Sequence, residues 1–202
     1  MPTFDIENQH ISKVVVGIDE AGYGPWAGPV VAGAAWLDQS KCQKLLLDTL
    51  NDSKQLTKSQ RNFLFDILQK GNGTFCKVAV GQASPQEIDE MNVLQANHLA
   101  MQRAYGTLQL KADHILVDGV NKPKFHTSID TIKKGDSLSY SIAAAAIMAK
   151  VTRDTIMENL ASEFPEYSWD TNSGYGTKKH IDALKKYGPT PHHRMSYKPI
   201  QN

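Results

Sequence analysis

Apolar and polar positions along this chain of 202 residues switch repeatedly between the period of a strand and that of a helix. Val14-Val15-Val16-Gly17-Ile18 is a short β-branched run, the pattern of a buried strand, and Asp19 and Glu20 follow it. The next stretch, Ala21 to Pro29, is too rich in glycine and proline for regular structure. A second strand is predicted from Val30 to about Leu37. Thr57-Lys58-Ser59-Gln60 has the spacing of a capping box and opens a helix to about Lys70, which Gly71-Asn72-Gly73 stops. Phe75 to Val80 reads as a third strand. Ser84-Pro85-Gln86-Glu87 joins a capping box to a first-turn proline, and Ile88, Met91, Leu94, Leu99 and Met101 carry that helix towards Ala104. His114 to Val117 is a fourth strand ending in Asp118-Gly119, and Ser128 to Lys133 a short fifth. A long helix runs from Ser139 to about Leu160. Its early part, Ala143-Ala144-Ala145-Ala146, is nearly bare of side chain and can approach a sheet closely. From Ser168 the chain is turn-rich, with one helix from Thr177 to Lys186.

Strands interleaved with helices specify an α/β domain with a mixed central sheet flanked by helices. The connection between the first two strands is short enough to require an antiparallel pair. Strand order is not contained in these patterns. Without repeats or a flexible linker, residues 1–202 read as a single domain, with about 165–202 as a small C-terminal helical extension.

Composition narrows the class. Apolar residues at 41% and charged residues at 21% describe a globular chain. Two cysteines, Cys42 and Cys76, cannot build a disulfide framework or a four-thiolate zinc site, and read as reduced thiols. The first seven residues are polar and acidic, unlike a secretory leader, and no apolar run approaches membrane-spanning length. The expectation is a soluble, cytoplasmic protein without a membrane partner, acting as a monomer. The net charge of +1 at first disfavours a nucleic-acid partner, because a basic footprint is the usual signature.

The candidate chemistry is acidic. Asp19-Glu20 and Asp118 end two strands, where ligands gather in α/β sheets, and Asp136 stands just before the alanine-rich helix. Four carboxylates brought together repel one another unless cations neutralise them. Hard oxygen ligands select Mg²⁺ or Mn²⁺ rather than zinc, and two such ions about 4 Å apart can clamp the attacking and leaving oxygens of a phosphodiester. Singly, each aspartate also suits a turn or a helix start; only the combination favours a metal centre. Gly22-x-Gly24-x-x-x-Gly28 superficially suits a dinucleotide, with Asp38 as ribose partner. That motif needs a helix after the glycines, whereas Pro29 to Ala34 reads as strand. His180, His192 and His193 fit no common zinc spacing and read as hydrogen-bonded or exposed. Trp26 and Trp169 read as packing residues.

The segment Gly17 to Val31 closely resembles the opening motif of the ribonuclease HII family. The likeness continues in order through Asp52-Ser53-Lys54-Gln55-Leu56, Val117-Asp118-Gly119, Lys134-Gly135-Asp136, Ile142 to Ala145, Ala149 to Asp154, Gly174-Tyr175-Gly176-Thr177 and His193-Arg194-x-Ser196. This resemblance implies a ribonuclease H-like fold. It implies hydrolysis of the RNA strand of RNA–DNA hybrids, and nicking of duplex DNA on the 5′ side of an embedded ribonucleotide to leave 3′-hydroxyl and 5′-phosphate ends. Carried over by position, Asp19, Glu20, Asp118 and Asp136 are catalytic metal ligands for Mg²⁺ or Mn²⁺. Gly22, Tyr23 and Gly24 match the loop that senses the ribose 2′-hydroxyl, and Tyr175 a tyrosine that packs on the sugar at the junction. Lys54, Lys150 and Arg153 are expected phosphate contacts, and residues from about 165 a substrate-binding extension.

Three positions depart from the family pattern. Tyr23 stands where arginine is usual, Ala146 where serine is common, and Ser173 where lysine is common. The loss of a phosphate-binding cation at Tyr23 keeps open a binding-only paralogue, and the fold also admits another two-metal nuclease. The near-neutral charge no longer disfavours nucleic acid once its distribution is considered. Residues 1–40 hold five acids and one base, 41–70 six bases and three acids, and 174–202 six bases and one acid.

Overall fold

Val15–Ala21 (β1), Val30–Leu37 (β2), Cys76–Ala83 (β3), His114–Asp118 (β4) and Ser128–Ile132 (β5) make one sheet in the order β3-β2-β1-β4-β5. The computed structural model describes residues 1–10 and 14–201. β1 and β2 pair antiparallel, as do β2 and β3, whereas β1–β4 and β4–β5 are parallel. The sheet is therefore mixed, as the short first connection requires.

The helices are Asp5–Asn8 (α1), Lys44–Thr49 (α2), Lys58–Gly71 (α3), Pro85–Thr107 (α4), Tyr140–Glu163 (α5), Trp169–Asn172 (α6), Lys178–Tyr187 (α7) and Lys198–Gln201 (α8). Both predicted capping boxes form. Thr57 Oγ1 accepts from the Gln60 amide while Gln60 Oε1 accepts from that of Thr57, and Ser84 and Glu87 repeat the exchange. Ser139 and Thr177 cap α5 and α7. The short helices α1 and α2 were not legible in the apolar pattern. α4 runs beyond its predicted end and is kinked at Asn92, which has φ 69° and whose Oδ1 accepts the amides of Leu94 and Gln95. This local cap resets the helical phase. The residues buried beyond it are Ala96, Asn97, Ala100, Met101 and Ala104, so Leu94 and Leu99 are not in the predicted stripe.

α4 covers one face of the sheet, packing Ala96, Ala100 and Ala104 near Val16, Ile18, Val30 and Ala32. α5 covers the other, with α2 and α3 beside it around Leu46, Leu50, Leu64 and Leu68. The alanines of α5 let its backbone come so close that a Cβ on Gly33 would clash with the backbone of Ala145, and one on Gly17 with Ser141 and Ile142. No helix among the described residues is long and apolar enough to cross a membrane.

Gly33→Val should force α5 off the sheet and destabilise the protein by about 1–3 kcal/mol. Thermal melts should register about 2–4 °C for each kcal/mol. An unchanged melting temperature would refute this close approach.

Candidate active site

β1 does not stop at Ile18. β2 continues to pair with it, Asp19 opposite Gly33, Glu20 opposite Ala32 and Ala21 opposite Val31, so the two acids belong to the strand itself. Successive side chains on a strand point to opposite faces. Asp19 therefore shares the face of Gly17 and α5, and Glu20 the face of Ile18 and α4. β4 lies parallel beside β1 with Val117 opposite Ile18, which sets Asp118 next to Asp19. Asp136 sits in a single 3₁₀ turn, Gly135–Ser137, just ahead of α5. The turn is fixed to β4 by the Gly135 amide, which donates to Asp118 Oδ1 at 2.6 Å.

All four predicted acids thus converge, and their electrostatics register it. Burial, then the Glu20 and Asp118 charges, push the Asp19 carboxyl well above the ordinary carboxylate range. Burial likewise raises Glu20 to about 7, opposed by a hydrogen bond from Asn97 and reinforced by Asp118. Asp136 rises to about 6 through burial, Asp52 and Asp118. Burial alone would lower the Lys54 ammonium, yet the field of Asp136, Asp19, Asp52 and Asp118 holds it above its usual value. An oxygen-rich cluster this reluctant to ionise is the donor set a hard divalent cation favours, so the residues present fit Mg²⁺ or Mn²⁺.

A cleft of about 370 Å³ opens from Asp19 and Glu20. Gly22, Tyr23, Gly24, Lys54, Lys150, Arg153 and Tyr175 also line it, so the predicted substrate-side residues come together. Gly22 has φ 91°, a left-handed conformation with the Arg153 side chain packed against it. A Cβ on Gly24 would meet only Tyr175 Cε1, at 3.6 Å, an ordinary contact, so nothing in the protein itself requires glycine there. Tyr23 and Tyr175 are exposed.

Arg153 needs correction as a phosphate contact. It is buried, and its guanidinium donates to the carbonyls of Pro29 (3.1 Å), Ala27 (3.2 Å) and Ser173 (3.0 Å). With Nε and Nη2 committed to main-chain oxygens, it ties the glycine loop to the C-terminal segment. Arg194, whose role the sequence did not reveal, does the same from the other side. Its guanidinium donates to Gly28 O, Tyr23 O and Gly22 O at 3.1, 2.8 and 2.5 Å. Burial lowers both guanidinium pKa values, that of Arg153 to about 10. Lys150 lines the cleft but donates to Asp154 at 2.8 Å, and Lys54 is exposed among the acids.

Asn97 and Asp52 also escaped sequence reasoning, the first inside a helix and outside every motif block, the second within a matched block but without a role. The C-terminal histidines His180 and His193 are joined in a hydrogen-bond chain. Thr190 N donates to His193 Nδ1, so the His193 Nε2 proton is given to His180 Nε2 at 2.9 Å. His180 Nδ1 then donates to the Tyr175 carbonyl at 3.0 Å. Burial holds both imidazoles neutral, with His193 down to about 4. Trp169 is fully buried beside them, as expected of a packing residue.

A sequence model of the ribonuclease HII family matches residues 16–200. The chain belongs to that family. It is 46% identical over 200 residues to ribonuclease HII of Paramagnetospirillum magneticum, covering 99% of this chain and 97% of that one. The ribonuclease H2 of Pyrococcus horikoshii OT3 superimposes with a TM-score of 0.77 at 30% identity, covering 93% and 95% of the two chains. Bst-RNase HIII, solved in complex with Mn²⁺, shares the fold at a TM-score of 0.78 and 18% identity, over 100% of this chain and 72% of that one. Membership in the ribonuclease HII family makes the chain a metal-dependent endoribonuclease acting on RNA–DNA hybrids, and its sheet and flanking helices are those of the ribonuclease H fold.

A carboxyl whose folded pKa is raised holds its proton more tightly folded than unfolded. Stability therefore falls as pH rises from the ordinary carboxylate value through about 6 and about 7. In chelator, the acid cluster should make the protein melt lower at pH 8 than at pH 5.5. At pH 8, Mg²⁺ at a tenfold excess over its Kd should raise the melting temperature by roughly 3–6 °C, with a smaller gain at pH 5.5. No response to Mg²⁺ or Mn²⁺ at pH 8 would refute a divalent-cation centre.

Proposed function

We infer that this chain hydrolyses the RNA strand of hybrids and also nicks duplex DNA 5′ of an embedded ribonucleotide, leaving 3′-hydroxyl and 5′-phosphate ends. The convergence of Asp118 and Asp136 on Asp19 and Glu20, which line the cleft, carries this reading. These four would hold Mg²⁺ or Mn²⁺, two ions during turnover. Such ions, when bound, supply activation of the attacking water and neutralisation of charge on the departing 3′ oxygen. Asn97 orients Glu20 through its amide, and the Gly135 amide orients Asp118. Lys54, raised in the acid field, stays charged where a phosphate would approach.

Discrimination of RNA from DNA at one nucleotide rests on the 2′-hydroxyl. Gly22, Tyr23 and Gly24 form the rim that meets it. Gly24 presents bare backbone beside the exposed Tyr175 ring, where a sugar can approach closely. Residues from about 165 serve as the substrate-binding extension. They supply Tyr175 and the exposed lysines 178, 179, 185 and 186 of α7, and they dock on the glycine loop through Trp26 N–Gly174 O and Gly28 N–His192 O. The protein works as a cytoplasmic monomer, with Cys42 and Cys76 reduced.

On duplex DNA carrying one ribonucleotide, Asp118→Asn should cut the nicking rate by about 10²–10³-fold or more. Asparagine Oδ1 still accepts from Gly135, so the fold should persist; near-normal turnover would refute the site. A wild-type protein that binds this duplex but nicks it with neither metal would favour the binding-only reading that Tyr23 suggests. Tyr23→Arg should tighten binding and steepen the slope of log K against log salt by about 0.9, one added phosphate contact. An unchanged slope would show that the side chain does not reach the backbone.

A further inference from the structure

The two ends of β4 carry different chemistry. Asp118 closes one end beside Asp19, and His114 opens the other, about 13 Å away along the strand. His114 is buried, with Nε2 3.0 Å from Oδ2 of Asp130 on β5. The His10 ring stacks on it, centroids 3.8 Å apart and planes 21° from parallel, and places its own Nε2 3.9 Å from the same oxygen. One ligand atom from each of the three lies within 4.8 Å of the others. His10 is delivered there by a well-anchored arm. Glu7 Oε1 accepts from Ser139 Oγ, Ser141 N and Ser141 Oγ at 2.6–2.9 Å, and Thr3 exchanges main-chain bonds with Leu138 and Tyr140.

We propose that His10, His114 and Asp130 form a second metal site, of zinc type, with both Nε2 atoms and Asp130 Oδ2 as ligands and a fourth position open to water. A hydrogen-bonded His–Asp pair needs one imidazole; here a second is turned towards the same oxygen. Tetrahedral ligands about 2.0–2.1 Å from zinc sit about 3.3 Å apart. Separations of 3.0 and 3.9 Å bracket that, and coordination requires the His10 ring to swing out of its stack on His114 so that both Nε2 lone pairs meet the ion. Two imidazole ligands favour Zn²⁺, whereas the all-carboxylate cluster at the other end of β4 favours Mg²⁺ or Mn²⁺. Asp130 is exposed, so an ion can enter from solvent. Bound there, it fastens the N-terminal arm to the β4–β5 edge.

The test is calorimetric titration of the full chain with Zn²⁺ alone as probe, in excess Mg²⁺ to occupy the catalytic carboxylates. One equivalent should bind, and His10→Ala and Asp130→Asn should each weaken it about 10–100-fold without changing Mg²⁺-supported cleavage. His114→Gln should do the same to binding, and because His114 is buried its fold is checked by circular dichroism. Zn²⁺ should raise the melting temperature of the wild type and not of the His10 or Asp130 variants. Absence of binding, binding unaffected by either surface variant, or binding lost only in Asp118→Asn would each overturn the assignment.

Discussion

The alanine face of α5 lies against β1 and β2 at a separation that leaves no room for a Cβ on Gly17 or Gly33. Two of the four acids, Asp19 and Asp136, are positioned by that contact. Gly17 and Asp19 share one face of one strand, and Asp136 lies on the turn just before α5. Bringing helix and strand together therefore also brings like charges together, in a region where burial makes each of them harder to ionise. A loosely packed sheet would relax and let the acids part. Interiors packed at crystal-like density do not yield so readily, so the core sustains an arrangement that would otherwise disperse.

Legibility in the sequence followed how local each signal was. The strands, both capping boxes and the alanine-rich helix depend on neighbours a few residues away, and they were readable with small errors at the ends. β1 was read short because its last residues are polar, and only pairing with β2 keeps them in the sheet. The kink of α4 was hidden because Asn92 acts through its own side chain on the next turn, a bond that apolar periodicity does not register. Order within the sheet depends on contacts between distant segments and was not readable at all.

The site divides in the same way. Carboxylates at strand ends announce themselves, and the ordered motif blocks gave them roles. Arginines do not announce theirs: Arg153 lies in a block rich in cations, yet its environment is three carbonyl oxygens. Asn97 acts on Glu20 from the middle of the helix that covers the same face of the sheet. Support for Tyr175 is likewise remote, passing from Thr190 through His193 and His180 to its carbonyl, beneath a cluster of Tyr167 and Trp169.

The grip of Arg194 on the carbonyls of Gly22 and Tyr23 has a directional result. In a trans peptide the N–H points opposite to the C=O. Drawing these two oxygens towards the buried guanidinium turns the amide hydrogens of Tyr23 and Gly24 the other way. The loop is polarised by a cation it conceals, offering the positive ends of its peptide dipoles to whatever lies on its outer side. An uncharged loop thereby becomes a donor surface for a hydroxyl or a phosphate oxygen.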